Sequence, residues 1–140
     1  MQHITEIRTA VCTLANKLRA AGYGKRDSFL RAWAAVSETA FRVAGATFEN
    51  RQTALSTLAG IPADDVRVVL HREADNSFDS SAVAVWAVLK GTGRGAKLGY
   101  LPRVLAARWA AVLDKGVRPS AAGRVIGTDD LHGFLVSMAV

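Results

Sequence analysis

Two polar stretches of the chain carry side chains able to act together on a ligand. In residues 70–85 an apolar run ends in Arg72-Glu73. A polar turn with Asn76, Phe78 and Asp79 follows, and a second apolar run begins at Ala82. Further on, Lys97-Leu98-Gly99-Tyr100-Leu101-Pro102-Arg103 leads into an alanine-rich segment. Phe78, with Phe48 upstream, offers flat faces on which a base can stack, worth roughly 1–3 kcal/mol per base. Asp79 can accept a hydrogen bond from a hydroxyl and would repel a phosphate in the same place. Asn76, the Tyr100 hydroxyl and Arg103 supply donors and a cation for a phosphate. A base, a 3′-hydroxyl and a phosphate on the 5′ side are what a terminal nucleotide presents. Arg103 falls where a strand turns into a helix, so the first helical N–H groups can add to an anion site, less the one that Pro102 lacks.

Each residue also has a plainer role. Asp79 can brace its own turn, which is compatible with ligand contact. Phe78 stands among polar residues and reads as exposed. Tyr100 alternates with Leu98, which puts it on the apolar face with its hydroxyl at the rim. Trp33, Trp86 and Trp109 sit in apolar patterns and read as core or helix-packing residues. Cys12, beside Val11 on the apolar side of a helix, reads as a buried, inert thiol. His71, Asp75 and Asp79, and likewise Asp129, Asp130 and His132, match no metal-ligand spacing, so no metal or other cofactor is expected. Gly91-Thr92-Gly93-Arg94-Gly95 lacks the Lys-Ser/Thr of a phosphate-binding loop. There is no nucleophile–base motif, and the chain is not expected to be an enzyme.

The elements that must position these residues follow from periodicity. Ile4, Ile7, Val11, Leu14 and Leu18 recur at helical spacing. Glycines at 22 and 24 end that helix, and Asp27 or Ser28 can cap a second, so residues 1–40 form a helical hairpin appendage. From residue 41 the order is a strand (41–44), a helix capped by Asn50 (51–58), a strand (66–70) and a hairpin (82–89 with 97–101). A helix (104–113) and two last strands (121–127 and 134–140), joined by a loop at 128–133, complete it. The 82–89 run reads as buried on both faces. Residues 41–140 thus read as a mainly β domain, a small OB-like or SH3-like partly open barrel with two short helices.

Composition agrees and narrows the classes. The 140 residues carry a net charge of +6, which favours an anionic partner. Residues 1–40 hold six basic and three acidic residues, so the charge is not a tail. No apolar run is long enough to span a membrane, and MQHITEIRTA lacks the apolar core of a secretory signal. One cysteine excludes an internal disulfide. A cytoplasmic protein without membrane attachment is expected.

The ordered motifs resemble the HIRAN domain family over residues 41–140. Arg72-Glu73 matches its first element. Asn76-Ser77-Phe78-Asp79 matches the second, with serine for proline and phenylalanine for tyrosine. Gly99-Tyr100-Leu101-Pro102-Arg103 matches the third, and residues 43–48 resemble the opening strand with its aromatic at Phe48. Thr47 stands where a basic residue is found in the member that binds 3′ ends, which leaves Arg51 or Arg72 to supply that charge. A second-base aromatic aligns with His132 or Phe134. The resemblance implies a non-catalytic module that binds single-stranded DNA or frayed ends at the 3′-hydroxyl, through Phe48, Arg72, Asn76, Phe78, Asp79, Tyr100 and Arg103. It also implies a bacterial or phage stand-alone protein of DNA repair or replication. Two alternatives stand beside it. One is a scaffold whose residues 1–40 recruit a protein partner or self-associate through the Ile4–Leu18 stripe; the other is a metal-dependent nuclease.

Overall fold

The computed structural model describes residues 2–36, 40–128 and 131–139. Two helices come first, α1 (Gln2–Ala20) and α2 (Lys25–Val36). Strand β1 (Ala40–Arg42), helix α3 (Glu49–Ala59) and a single 3-10 turn (Ala63–Asp65) follow. Then come β2 (Val66–Arg72), β3 (Val83–Leu89), β4 (Gly95–Tyr100), α4 (Arg103–Asp114), β5 (Ser120–Thr128) and β6 (Leu131–Ala139). The architecture is mixed α and β. Six strands form two antiparallel three-stranded sheets, ordered β1-β6-β5 and β2-β3-β4, which do not close into a barrel. No described helix is long and apolar enough to cross a membrane.

Helix α1 uses its apolar stripe as expected from its period. Val11, Leu14 and Leu18 are buried and Ile7 packs against the core, while the Ile4 side chain lies outside the described residues. The stripe is therefore spent on the fold and is not a free contact face. Cys12 is exposed, contrary to expectation, because one residue past Val11 turns about 100° around the helix and away from the core. Helix α2 begins before its expected caps: the Ser28 N–H already donates to the Gly24 carbonyl (2.9 Å), and Asp27 sits in the first turn. The hairpin lies on α4. The Tyr23 hydroxyl reaches the Ala111 carbonyl (3.5 Å), and the Arg31 and Lys115 cations lie 4.6 and 5.0 Å from the Tyr23 ring centre. Buried residues of α1 and α2 belong to the same apolar cluster as Trp109, Phe134 and the strand residues Val68, Val83 and Val85. Trp109 is core as expected and Trp86 is half-buried, but Trp33 is half exposed.

The chain crosses between the sheets at residues 40–44. Ala40 to Arg42 pair with Ser137 to Leu135 of β6. Two residues later Ala44 forms an antiparallel bridge to Tyr100, with hydrogen bonds of 2.8 and 2.9 Å. Only glycine fits beside that bridge. A Cβ on Gly99 would land on the Ala44 carbonyl oxygen and the Val43 side chain, and Gly99 has φ +153°. Within the second sheet the register slips between Val85, which faces Gly99, and Trp86, which faces Lys97. Leu98 is the extra residue, a bulge that overrides simple alternation along β4. The last hairpin is longer than expected: pairing runs to Thr128 and Leu131, so Leu131 to Gly133 are strand, and Asp129 and Asp130 lie outside the described residues.

Two stability outcomes follow. Gly99→Ala is expected to destabilise by at least about 2 kcal/mol, because backbone cannot move aside as a side chain would. The Ser28 hydroxyl is buried without a partner. Ser28→Ala should therefore stabilise by about 1 kcal/mol and raise Tm by roughly 3–5 °C. Thermal denaturation of the two variants checks both signs.

Candidate nucleic-acid interface

Residues 73–82 form a turn built around one amide. The Asn76 carbonyl oxygen Oδ1 accepts from the N–H groups of Phe78 (2.9 Å) and Asp79 (3.1 Å), and its Nδ2 donates to Glu73 (3.1 Å). The base is closed by Glu73 N–H to the Ala82 carbonyl (2.9 Å). Asp79 Oδ1 accepts from the Ser81 N–H (2.9 Å), so the bracing role is real, while Oδ2 faces Arg103 Nε at 3.8 Å. With the backbone held this way, Phe78 is turned outward and 91% exposed.

A second segment arrives through the Ala44–Tyr100 bridge. Helix α3 starts at Glu49 and not after Asn50: Phe48 holds the capping position, and its carbonyl accepts from Arg51 and Gln52. The Phe48 ring is 62% exposed. Arg51 folds back, donating to the Gly45 carbonyl (2.7 Å) with its guanidinium 4.9 Å from the Phe48 ring centre and 5.5 Å from that of Tyr100. Gly45 has φ +76°, which a side chain disfavours, and a Cβ there would also crowd that guanidinium. Gln52 ties the segment down, donating to the carbonyls of Ala46 and His132 and accepting from the His132 N–H.

Between these segments lies an open groove of about 470 Å³. Phe48, Asn76, Phe78, Asp79, Tyr100 and Arg103 all line it, and so does Arg51. Arg72 does not. It is turned to the other side, with Nε on Asp114 (3.1 Å) and Nη1 on the Ala82 carbonyl (3.3 Å). Of the two arginines that could replace the cation absent at Thr47, the fold thus brings Arg51 to the groove. Phe134 is buried in the core and His132 lines a different cavity. Pro102 removes no helical donor, because it occupies the capping position of α4, where its carbonyl accepts from Ala106.

The model of the HIRAN domain family matches residues 59–133. The chain belongs to the HIRAN domain family. HIRAN domains are in general DNA-binding modules and generally non-catalytic. The match covers the 73–82 turn and the strand into α4, whereas Phe48 and Arg51 precede it. Among solved structures, a protein from Lactobacillus plantarum is 24% identical, over 74% of this chain and 94% of that one, with a TM-score of 0.46. Among curated proteins no relative matches.

Behind the groove, this HIRAN domain carries a charged network that the sequence reading left out. Lys97 Nζ donates to Glu73 Oε2 (2.7 Å) and to the Tyr100 hydroxyl (3.2 Å), and that hydroxyl donates to Glu73 Oε1 (3.0 Å). Residues three apart on a strand normally point to opposite faces; the bulge at Leu98 turns Lys97 and Tyr100 to the same carboxylate. The Tyr100 hydroxyl and one Asn76 donor are engaged inside this network, so they shape the groove, and the cations within it are Arg51 and Arg103. Burial would raise the Glu73 pKa, but hydrogen bonds from Lys97, Asn76 and Tyr100 outweigh it and hold the carboxyl below its ordinary value of 4.5. The bond to Glu73 holds Lys97 above its ordinary 10.5. Among the described residues no group of three or more His, Cys, Asp or Glu is placed to hold a metal ion.

A carboxyl held below its unfolded value adds stability that is present above the unfolded pKa and lost as pH falls through the folded one. Glu73→Gln should therefore cost roughly 1–2 kcal/mol at neutral pH. That gap should narrow once the pH drops below the ordinary value of 4.5. Thermal unfolding of parent and variant from neutral to acid pH measures it; an undiminished gap in acid would show that the charge is not what Glu73 contributes.

Proposed function

We propose that the groove binds the 3′-hydroxyl end of single-stranded or frayed DNA without catalysis. The observation that carries this reading is convergence. Six side chains from three separate segments, chosen for a terminal nucleotide, line one groove, and a seventh, Arg51, brings a cation among them. Phe48 and Phe78 are exposed far beyond what packing requires, at opposite segments of the groove. A base stacked between them would cover both. Asp79 keeps Oδ2 directed toward Arg103, so a hydroxyl donating to it would lie beside a cation able to take the adjoining phosphate. Residues at the starts of α3 and α4, Phe48 and Arg103, line the groove, and a helix start favours an anion.

Tyr100 contributes a ring face beneath Arg51 in this reading, and Asn76 the shape of the turn. What supports a binding role is the family and the kind of residues assembled.

Fluorescence anisotropy with a short labelled strand ending in a 3′-hydroxyl or a 3′-phosphate tests the reading over a salt series. The hydroxyl end should bind more tightly. Asp79→Asn keeps an oxygen for the Ser81 N–H and should abolish the preference. Phe78→Ala should weaken binding by about 1–3 kcal/mol. Arg51→Ala and Arg103→Ala should each weaken it and flatten the salt dependence by about one phosphate contact. Equal affinity for both ends in the parent would leave a generic phosphate-binding surface in place of end recognition.

A further inference from the structure

Helix α2 leaves a large apolar face uncovered. Phe29, Leu30 and Trp33 are 50%, 53% and 50% exposed, on a different side of the helix from the buried Ser28, Ala32 and Ala35. The two aromatic rings stack on each other, 6.5 Å between centres. Beside them runs a groove of about 590 Å³ between α1 and α2. Cys12, Ala15 and Phe29 give it apolar walls, and its charged lining residues are Arg19, Lys25 and Arg26, all basic. Asp27 is the acid on the same turn of α2. An exposed apolar patch rimmed by polar residues marks an interaction site, and here three cations stand against one acid.

We propose that this surface docks an acidic amphipathic segment of a partner protein. An apolar side chain of the segment enters the groove against Phe29, a second lies on the exposed Trp33 beside it, and its carboxylates sit beside Arg19, Lys25 and Arg26. The rim decides the occupant. A second copy of the chain would bring two basic rims together, which costs affinity. A nucleic acid strand would meet the cations, but Leu30 and the Cys12–Ala15 wall give a base no flat face to stack on. Amphipathic segments read by spaced apolar anchors in a groove are a common recognition mode, with specificity set by flanking charge. The surface shares no residue with the groove lined by Phe48 and Phe78, so the proposal does not rest on the DNA reading.

The test is titration of the isotope-labelled full chain with a synthetic peptide in which Asp and Glu flank a central Leu-Phe pair, followed by NMR. Saturable shifts should centre on the Trp33 indole and residues 12–33. The exposed double variant Lys25→Glu/Arg26→Glu should weaken binding by at least about tenfold, and so should Trp33→Ala, while Phe78→Ala should leave it unchanged. Absent or non-saturable shifts, shifts centred on the other groove, or indifference to both α2 variants would overturn the proposal. So would displacement of the peptide by a labelled DNA strand. A parent dimer in sedimentation that Trp33→Ala dissociates would assign the face to a second copy and equally overturn it.

Discussion

The geometry of this protein turns on a two-bond bridge. Ala44 and Tyr100 exchange backbone hydrogen bonds in an isolated bridge that ties the chain leaving the first sheet to the edge of the second. The bridge requires Gly99, since any side chain there would occupy the place of the Ala44 carbonyl. Because β1 ends on β6 and the next residues bridge to β4, a few residues of chain belong to both sheets. The groove opens at that seam. Phe48 and Arg51 arrive from one side, and Asn76, Phe78 and Asp79 from the other, with Tyr100 and Arg103 between them.

Rigidity at the seam comes from polar groups answering one another. Asn76 uses both ends of its amide, Glu73 accepts from three residues, and Gln52 holds two carbonyls and one N–H. Such networks specify a conformation when every member is satisfied. Here they leave the rings of Phe48 and Phe78 and the guanidinium of Arg103 exposed to solvent on a fixed frame. The groove is thereby arranged before any ligand arrives, which lowers the ordering cost of binding.

What could be read from the sequence was local. Helical spacing in α1 and the apolar run of β3 gave elements within a few residues of their true ends, since periodicity reports the face toward the core. Six of the seven chosen site residues share one groove because each lies in a short motif whose local backbone positions it. The failures are non-local. Arg51 and Arg72 look alike as cations, and only the bridge and the pairing of Arg72 with Asp114 separate them. Trp33 sits in an apolar stretch, yet burial went to the small residues Ala32 and Ala35, which let α2 approach its neighbours closely. The Lys97–Tyr100 pair was hidden by a bulge, which no alternation rule anticipates.

The pairing of β1 with β6 has a consequence for synthesis. Ala40 emerges early from the ribosome, but its partner Ser137 is nearly a hundred residues later. Until then one sheet lacks its central strand, and the edges of β1 and β5 stand open to other chains. The helical pair and the β2–β4 meander can form during that interval from neighbouring segments alone, whereas the first sheet waits for the chain to close upon itself. Its assembly is the step most exposed to misassociation, and a cell producing this protein fast would strain it there first.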